Sequence, residues 1–172
     1  GCDWDPFEYE FCHRTEHSIE FQLIMLEWLF GSDIKIVPIL CSSFTENDIS
    51  NDSSVSRFLS RLRNIIESEK SVCIIGGADL AHVGKKFGDP FDITPSIINQ
   101  IRQMDAESLE FLKTGDASGF FKSVMKDNNR RKVCGLSCIY SAVKLSGSQE
   151  GQILHYDYAH DPAGGIVSFA SV

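Results

Sequence analysis

Apolar residues recur along this chain at helical spacing in some stretches and as short unbroken runs in others. Ile19, Leu23, Leu26 and Phe30 fall at i, i+4, i+7 and i+11, with Glu20 and Glu27 off that stripe. The spacing predicts an amphipathic helix stopped by Gly31. Ile34–Cys41 is a continuous apolar run short enough to be a buried strand, and Pro38, which cannot donate to a ladder, puts an edge, a bulge or a strand end there. Thr45 can cap a helix running to Lys70, with Val55, Leu59, Leu62 and Ile66 on one stripe. Val72–Ile75 is a second strand candidate, entering Gly76-Gly77.

The stretch Gly76–Pro95 is rich in Gly, Asp and Pro and is expected to be a long loop. Thr94-Pro95 reads as the cap and first residue of a helix ending near Gly115. Asp116 can cap another helix to Lys126. A basic loop, Asn128–Lys132, leads through Cys134-Gly135 into an apolar helix over Leu136–Leu145. The tail predicts a β-hairpin: Gly151–Tyr158, a turn at Asp161–Gly165, then Ile166–Val172. Strands alternating with helices imply an α/β fold with helices flanking a mixed sheet, in a single domain spanning residues 1–172. In such sheets ligands bind beyond the carboxyl ends of strands, which draws attention to the loop after Val72–Ile75.

Composition narrows the class. Lys and Arg number 16 against 24 Asp and Glu, a formal net charge of −8, and this argues against a nucleic-acid-binding module. The local cluster Arg130-Arg131-Lys132 is the exception to the acidic balance. No apolar run approaches the length a bilayer needs, so no membrane association is expected. Gly1–Phe11 has neither the basic nor the apolar region of a signal peptide. Six scattered cysteines fit reduced thiols in a cytoplasmic protein better than a disulfide scaffold. Cys41 and Cys73, lying in strand-like runs, are expected to be buried and inert. His155 and His160 read as structural.

Three places could carry chemistry. Asp79 and His82 stand three apart in a glycine-flanked loop, where a carboxylate can orient an imidazole and raise its basicity. Alternatively Asp79 only caps a turn and His82 is a half-exposed loop residue. His13-Arg14-Thr15-Glu16-His17 matches the H-x-x-E-H pattern of inverted zinc peptidases, which requires both histidines on one helix face. Cys134, beside basic residues at a helix start, is expected to have a lowered pKa suited to a soft metal or to nucleophilic attack. Its alternative is a small buried apolar residue.

Several segments resemble the Memo family, whose microbial members are called AmmeMemoRadiSam system protein B. Glu16–Leu23 (EHSIEFQL) resembles the family's EHSIExQL signature. Ala78–Gly84 followed by Phe87-Gly88-Asp89 is similar to its DLAHVG…FGD loop, and Arg130–Leu136 (RRKVCGL) to its RRxxCGL segment. The resemblance implies a fold like that of the class III extradiol dioxygenases. It implies Cys134 as a metal ligand, with His17, Asp79 and His82 as catalytic pocket residues. The metal would be iron, copper or zinc.

The family's other two metal-ligating histidines precede the EHSIE segment, where this chain has only His13. The resemblance therefore implies a C-terminal portion of the Memo domain, with metal binding weak or absent and an unpaired sheet edge open to self-association. Three functions follow as expectations. One is metal-dependent oxidation of a small molecule. Another is a non-catalytic site for a small molecule or peptide. The third is hydrolysis through Cys134 and His82.

Overall fold

A computed structural model describes residues 4–147 and 149–172. Its elements in chain order are α1 (Ser18–Phe30), α2 (Ser54–Ser68), β1 (His82–Gly84), α3 (Pro95–Lys113), α4 (Ala117–Met125), α5 (Leu136–Ser146), β2 (His155–Asp161) and β3 (Gly165–Ser171). A 3-10 turn over Glu10–Arg14 precedes α1, and another over Lys85–Phe87 follows β1.

The helix boundaries follow from local side-chain chemistry. The Thr94 hydroxyl accepts from the Ile97 N–H at the start of α3, with Pro95 at the first helical position. The Asp116 carboxylate accepts from the Gly119 N–H to cap α4. The cap of α2 is Ser53 rather than Thr45, because the Ser53 hydroxyl accepts from the Ser56 N–H at 3.0 Å. Thr45 is instead held in a turn by the Asp48 carboxylate, so α2 starts later than its sequence stripe suggests.

The α/β class holds, but the sheet is not mixed. The three strands, in the order β1-β3-β2, pair antiparallel throughout. β2 and β3 form the predicted hairpin, with His155 opposite Ser171 and Asp161 opposite Gly165. β1 arises inside the segment expected to be loop, where His82 pairs with Val167 and Gly84 with Gly165. The runs Ile34–Cys41 and Val72–Ile75 are not strands. A strand exists through its ladder, and none of the three described strands lies beside either run. Much of their apolar surface stays in solvent, with Val37 81% and Val72 49% exposed, while Ile34, Leu40 and Ile74 are half-buried. Cys73 is accordingly exposed and Cys41 only half-buried, which corrects the expectation that both are buried.

Two core clusters meet at the site. The larger joins Leu59 of α2, Leu109 and Leu112 of α3, Phe120, Phe121 and Val124 of α4, and Leu136 and Tyr140 of α5. The smaller joins Ala81, Val83, Ile101 and Ile166. Leu80 belongs to the first and Ala81 to the second, so the chain just before His82 is pinned between them. No helix among the described residues is long and apolar enough to cross a membrane.

Candidate metal centre

The segment carrying Asp79 and His82 is fastened to β3. The Leu80 N–H donates to the Ser168 carbonyl, the Ala81 N–H to the Ser168 hydroxyl, and the Ser168 N–H to the Ala81 carbonyl. On its other side the His82 N–H donates to the Arg131 carbonyl at 2.7 Å. The basic loop therefore runs along β1 as a neighbour. Lys132 and Asn129 take positive φ values of 53°, turning the loop back on itself. The Asn129 amide closes that turn by bonding both the N–H and the carbonyl of Val133.

Gly135 lets the two segments touch. A Cβ there would lie 2.4 Å from the Cβ of Ala78 and 3.0 Å from the Asp79 carbonyl oxygen. Only a residue without a side chain permits that approach, and it delivers the adjacent Cys134 to Asp79. Gly77 plays the same part toward α1, where a Cβ would meet the Ser18 carbonyl at 3.2 Å.

The result is a compact cluster. His82 Nε2 lies 3.2 Å from Asp79 Oδ2, and the Cys134 thiol donates to Asp79 Oδ1 at 3.3 Å. One ligating atom from each of the three falls within 4.8 Å of the others. His82 Nδ1 faces the Lys132 carbonyl at 3.1 Å. A carbonyl only accepts, so Nδ1 carries a hydrogen and Nε2 is the atom turned to the cluster. The ring also packs edge-on against Phe87, with centroids 5.0 Å apart.

The electrostatics follow from these contacts. The Asp79 hydrogen bond raises the His82 pKa above its usual value, against the opposing effect of burial. Burial pushes Asp79 up, but the hydrogen bond and charge of His82 and the Cys134 thiol outweigh it, so its pKa is lowered. Cys134 is pushed up to about 11, by burial first and then by the Asp79 charge. This reverses the expectation of a lowered thiol pKa. The basic residues next to Cys134 are engaged elsewhere: Arg131 is buried against Asp105, and Lys132 Nζ binds Asp89 at 2.6 Å.

His17 does not join the cluster. It stands exposed just before α1, its ring edge-on to Phe21 at 5.7 Å, although the first turn of α1 packs on Gly77, two residues from Asp79. The H-x-x-E-H reading fails on local structure. His13 lies in the 3-10 turn, His17 precedes α1, and Glu16 accepts from the Ser18 N–H at 2.9 Å, so the two histidines do not share a helix face. Two shallow depressions lie elsewhere. One is lined by His13, Glu16, Ile19 and Ile36, the other by Arg102, Leu109 and Tyr156, and neither includes the cluster.

Sequence reasoning missed the buried support beneath the site. Asp105, fully buried, pairs with Arg131 and accepts from the Tyr156 and Ser168 hydroxyls at 2.8 and 2.6 Å. The one available signal was an Asp among apolar positions of α3, where Ile101, Asp105, Leu109 and Leu112 share the buried face.

In this α/β chain an imidazole, a carboxylate and a thiol are gathered between the first described strand and the last helix. The chain belongs to the Memo-like protein family, whose sequence profile matches residues 7–172. It is similar to a MEMO1 family protein of Aquifex aeolicus, 30% identical over 96% of this chain and 43% of the relative. MEMO1 family proteins of Pyrococcus horikoshii and Methanococcoides burtonii are 29% and 28% identical, over 95% of this chain and 57% and 56% of their own lengths. The chain thus spans about half the length of the curated relatives it matches. No solved structure matches it.

Proposed function

We propose that Asp79, His82 and Cys134 form a metal centre serving oxidation of a small molecule. The observation that carries this is the convergence of three different donor atoms within 4.8 Å. The residues fit an ion on chemical grounds. Imidazole nitrogen, carboxylate oxygen and thiolate sulfur suit zinc, iron or copper, and ligand bonds of about 2.0–2.3 Å are compatible with donors spaced as these are. The His82 Nδ1 hydrogen bond to a backbone carbonyl is the arrangement that fixes a ligating histidine, and it turns Nε2, 3.2 Å from Asp79 Oδ2, toward the cluster.

Three donors raise the count above the single residue, Cys134, that the sequence resemblance supplies. Three protein ligands with an open position is also the make-up of catalytic sites. An ion bound there supplies Lewis-acid or redox chemistry. Asp79, His82 and Cys134 would hold it. Binding of a cation by Cys134 would release the thiol proton to solvent, and the Asp79 carboxylate that accepts from that thiol would be available as a ligand.

Elemental analysis of protein loaded with zinc, iron(II) or copper(II) and then dialysed tests this. About one ion per chain is expected, with loss in Cys134→Ser and in His82→Ala. Retention of the ion by both variants would overturn the proposal. Turnover of catechol-type substrates by the loaded protein then separates oxidation from a non-catalytic small-molecule or peptide site. That second reading draws on the exposure of Cys134.

A further inference from the structure

Two further sulfur groups lie beside the first turn of α5, outside the proposed centre. Cys41 ends the extended run Ile34–Cys41, and Cys138 stands in the first turn of α5. The run is drawn along α5 by two polar contacts one helical turn apart. The Phe44 N–H donates to the Ser137 hydroxyl at 2.8 Å, and the Cys41 thiol to the Ser141 hydroxyl at 3.7 Å. Residues 137, 138 and 141 lie on adjoining positions of one helix surface, so Cys41 meets Cys138 beside Ser141. The two thiols are close enough for each to shift the other's proton affinity.

We propose that Cys41 and Cys138 are a redox-active dithiol that closes to an intramolecular disulfide when it meets a low-molecular-weight disulfide such as oxidised glutathione. Both sulfurs are half-buried, so a small oxidant can reach them while a bulky one is hindered. The contact also divides the roles. Once ionised, the Cys41 sulfur would accept from the Cys138 thiol and the Ser141 hydroxyl, which lowers its pKa to about 7, and the Cys138 pKa is raised correspondingly. Cys41 is then the attacking sulfur near neutral pH, and Cys138 the resolving one.

The chemistry balances. The Cys41 thiolate attacks one sulfur of the oxidant, forming a mixed disulfide and releasing one thiolate that takes up a proton. Cys138 gives up its proton and attacks the Cys41 sulfur, displacing the second small thiol. The chain loses two electrons and two protons, and one small disulfide becomes two thiols. The product is a covalent tie between the extended run and α5.

Cys134 is the internal competitor. It is close enough to Cys138 to influence its proton affinity, but its thiol is turned to Asp79 Oδ1, to which it donates at 3.3 Å. Cys12 and Cys73 are exposed and serve as unpaired references.

The test uses the whole chain without added metal, equilibrated against mixtures of reduced and oxidised glutathione, quenched with acid and alkylated. Peptide mass spectrometry then identifies the linked cysteines. A Cys41–Cys138 linked peptide is expected as the first intramolecular disulfide, and it should persist in Cys134→Ser. In Cys138→Ser a glutathione adduct should accumulate on Cys41. In Cys41→Ser the adduct on Cys138 should form at least about tenfold more slowly than the one on Cys41. A Cys134–Cys138 link in the wild-type chain, or no Cys41–Cys138 link at any ratio tested, overturns the proposal. So does equal modification rate of Cys41 and Cys73 near neutral pH. The wild-type measurement stands by itself should a variant fold poorly.

Discussion

The guanidinium of Arg131 is paired with the carboxylate of Asp105 in the interior, and this pairing sets where the Arg131 backbone meets His82. Both side chains are withdrawn from solvent, at 4% and 0% exposure. Arg131 also donates to the Ser108 hydroxyl at 2.8 Å, while Asp105 accepts from Tyr156 and Ser168. The same Ser168 receives the Ala81 N–H. One buried network thus braces both backbones that flank the Asp79–His82–Cys134 cluster.

Removing one partner of that pair leaves a buried charge uncompensated, which typically costs about 3–5 kcal/mol. Asp105→Ala is therefore expected to lower the urea midpoint by a large fraction of the chain's stability. Replacing both partners together, as in Asp105→Leu with Arg131→Met, should cost less than Asp105→Ala alone. A double variant no more stable than the single would show that the pair's charge is not the source of the loss.

Gly135→Ala tests the close approach of the two site segments. The added methyl meets Ala78 Cβ at 2.4 Å, in a place where both neighbours are backbone-bound. Overpacking of this kind costs roughly 1–3 kcal/mol, and the expected result is a lower thermal midpoint together with weaker zinc retention. Unchanged midpoint and unchanged metal content would mean the segments separate freely.

Asp79→Asn separates ligand from scaffold. Asn keeps the shape but loses the charge that raises both the His82 and the Cys134 pKa. The rate of Cys134 alkylation at a fixed mildly alkaline pH should therefore increase, since a larger fraction is thiolate. Zinc retention should fall. His17→Ala, by contrast, is expected to leave zinc retention unchanged, because His17 lies outside the three-residue cluster.

Asp89 sets an acid limit on the loop between β1 and α3. Burial pushes its pKa up, but the Gly84 N–H and the Lys132 ammonium outweigh this and hold it below the ordinary carboxylate value. A carboxylate with a depressed folded pKa contributes stability above its unfolded pKa of about 3.9 and loses it as pH falls through the folded value. Wild-type stability should decline over that acidic interval, and Asp89→Asn should show a shallower decline from a lower starting point. Parallel pH–stability curves for the two proteins would contradict the assignment.

The surface of α1 makes self-association the expected behaviour of the isolated chain. Trp28 is 80% exposed, and Phe21, Met25 and Leu29 are exposed beside it. Exposed apolar area of this extent marks an interaction surface, and the unpaired run Ile34–Cys41 offers backbone groups to a second copy as well. Sedimentation velocity should show concentration-dependent dimers or larger species, reduced by Trp28→Glu with Leu29→Lys. A wild-type chain that stays monomeric at every concentration would exclude it.

Much of the self-contained local chemistry was legible in the sequence, although the cap of α2 was read at Thr45 and lies at Ser53. Thr94-Pro95 and Asp116 cap their helices because a side-chain oxygen reaches an N–H three residues on, with no distant partner needed. The hairpin after Gly151 declares itself because its turn and both strands are adjacent in the chain. Asp79, His82 and Cys134 stood out because few residue types can ligate or move protons. Whatever depends on a partner far along the chain was decided only by the tertiary structure. Ile34–Cys41 and Val72–Ile75 have strand composition, yet a strand needs a neighbour's hydrogen bonds, and no described strand lies beside them. His82–Gly84, glycine-flanked and loop-like, became a strand because β3 arrives to pair with it. The Cys134 pKa turned upward because folding sends Arg131 inward to Asp105 and places the Asp79 carboxylate against the thiol, and charge acts through distances that sequence order does not contain.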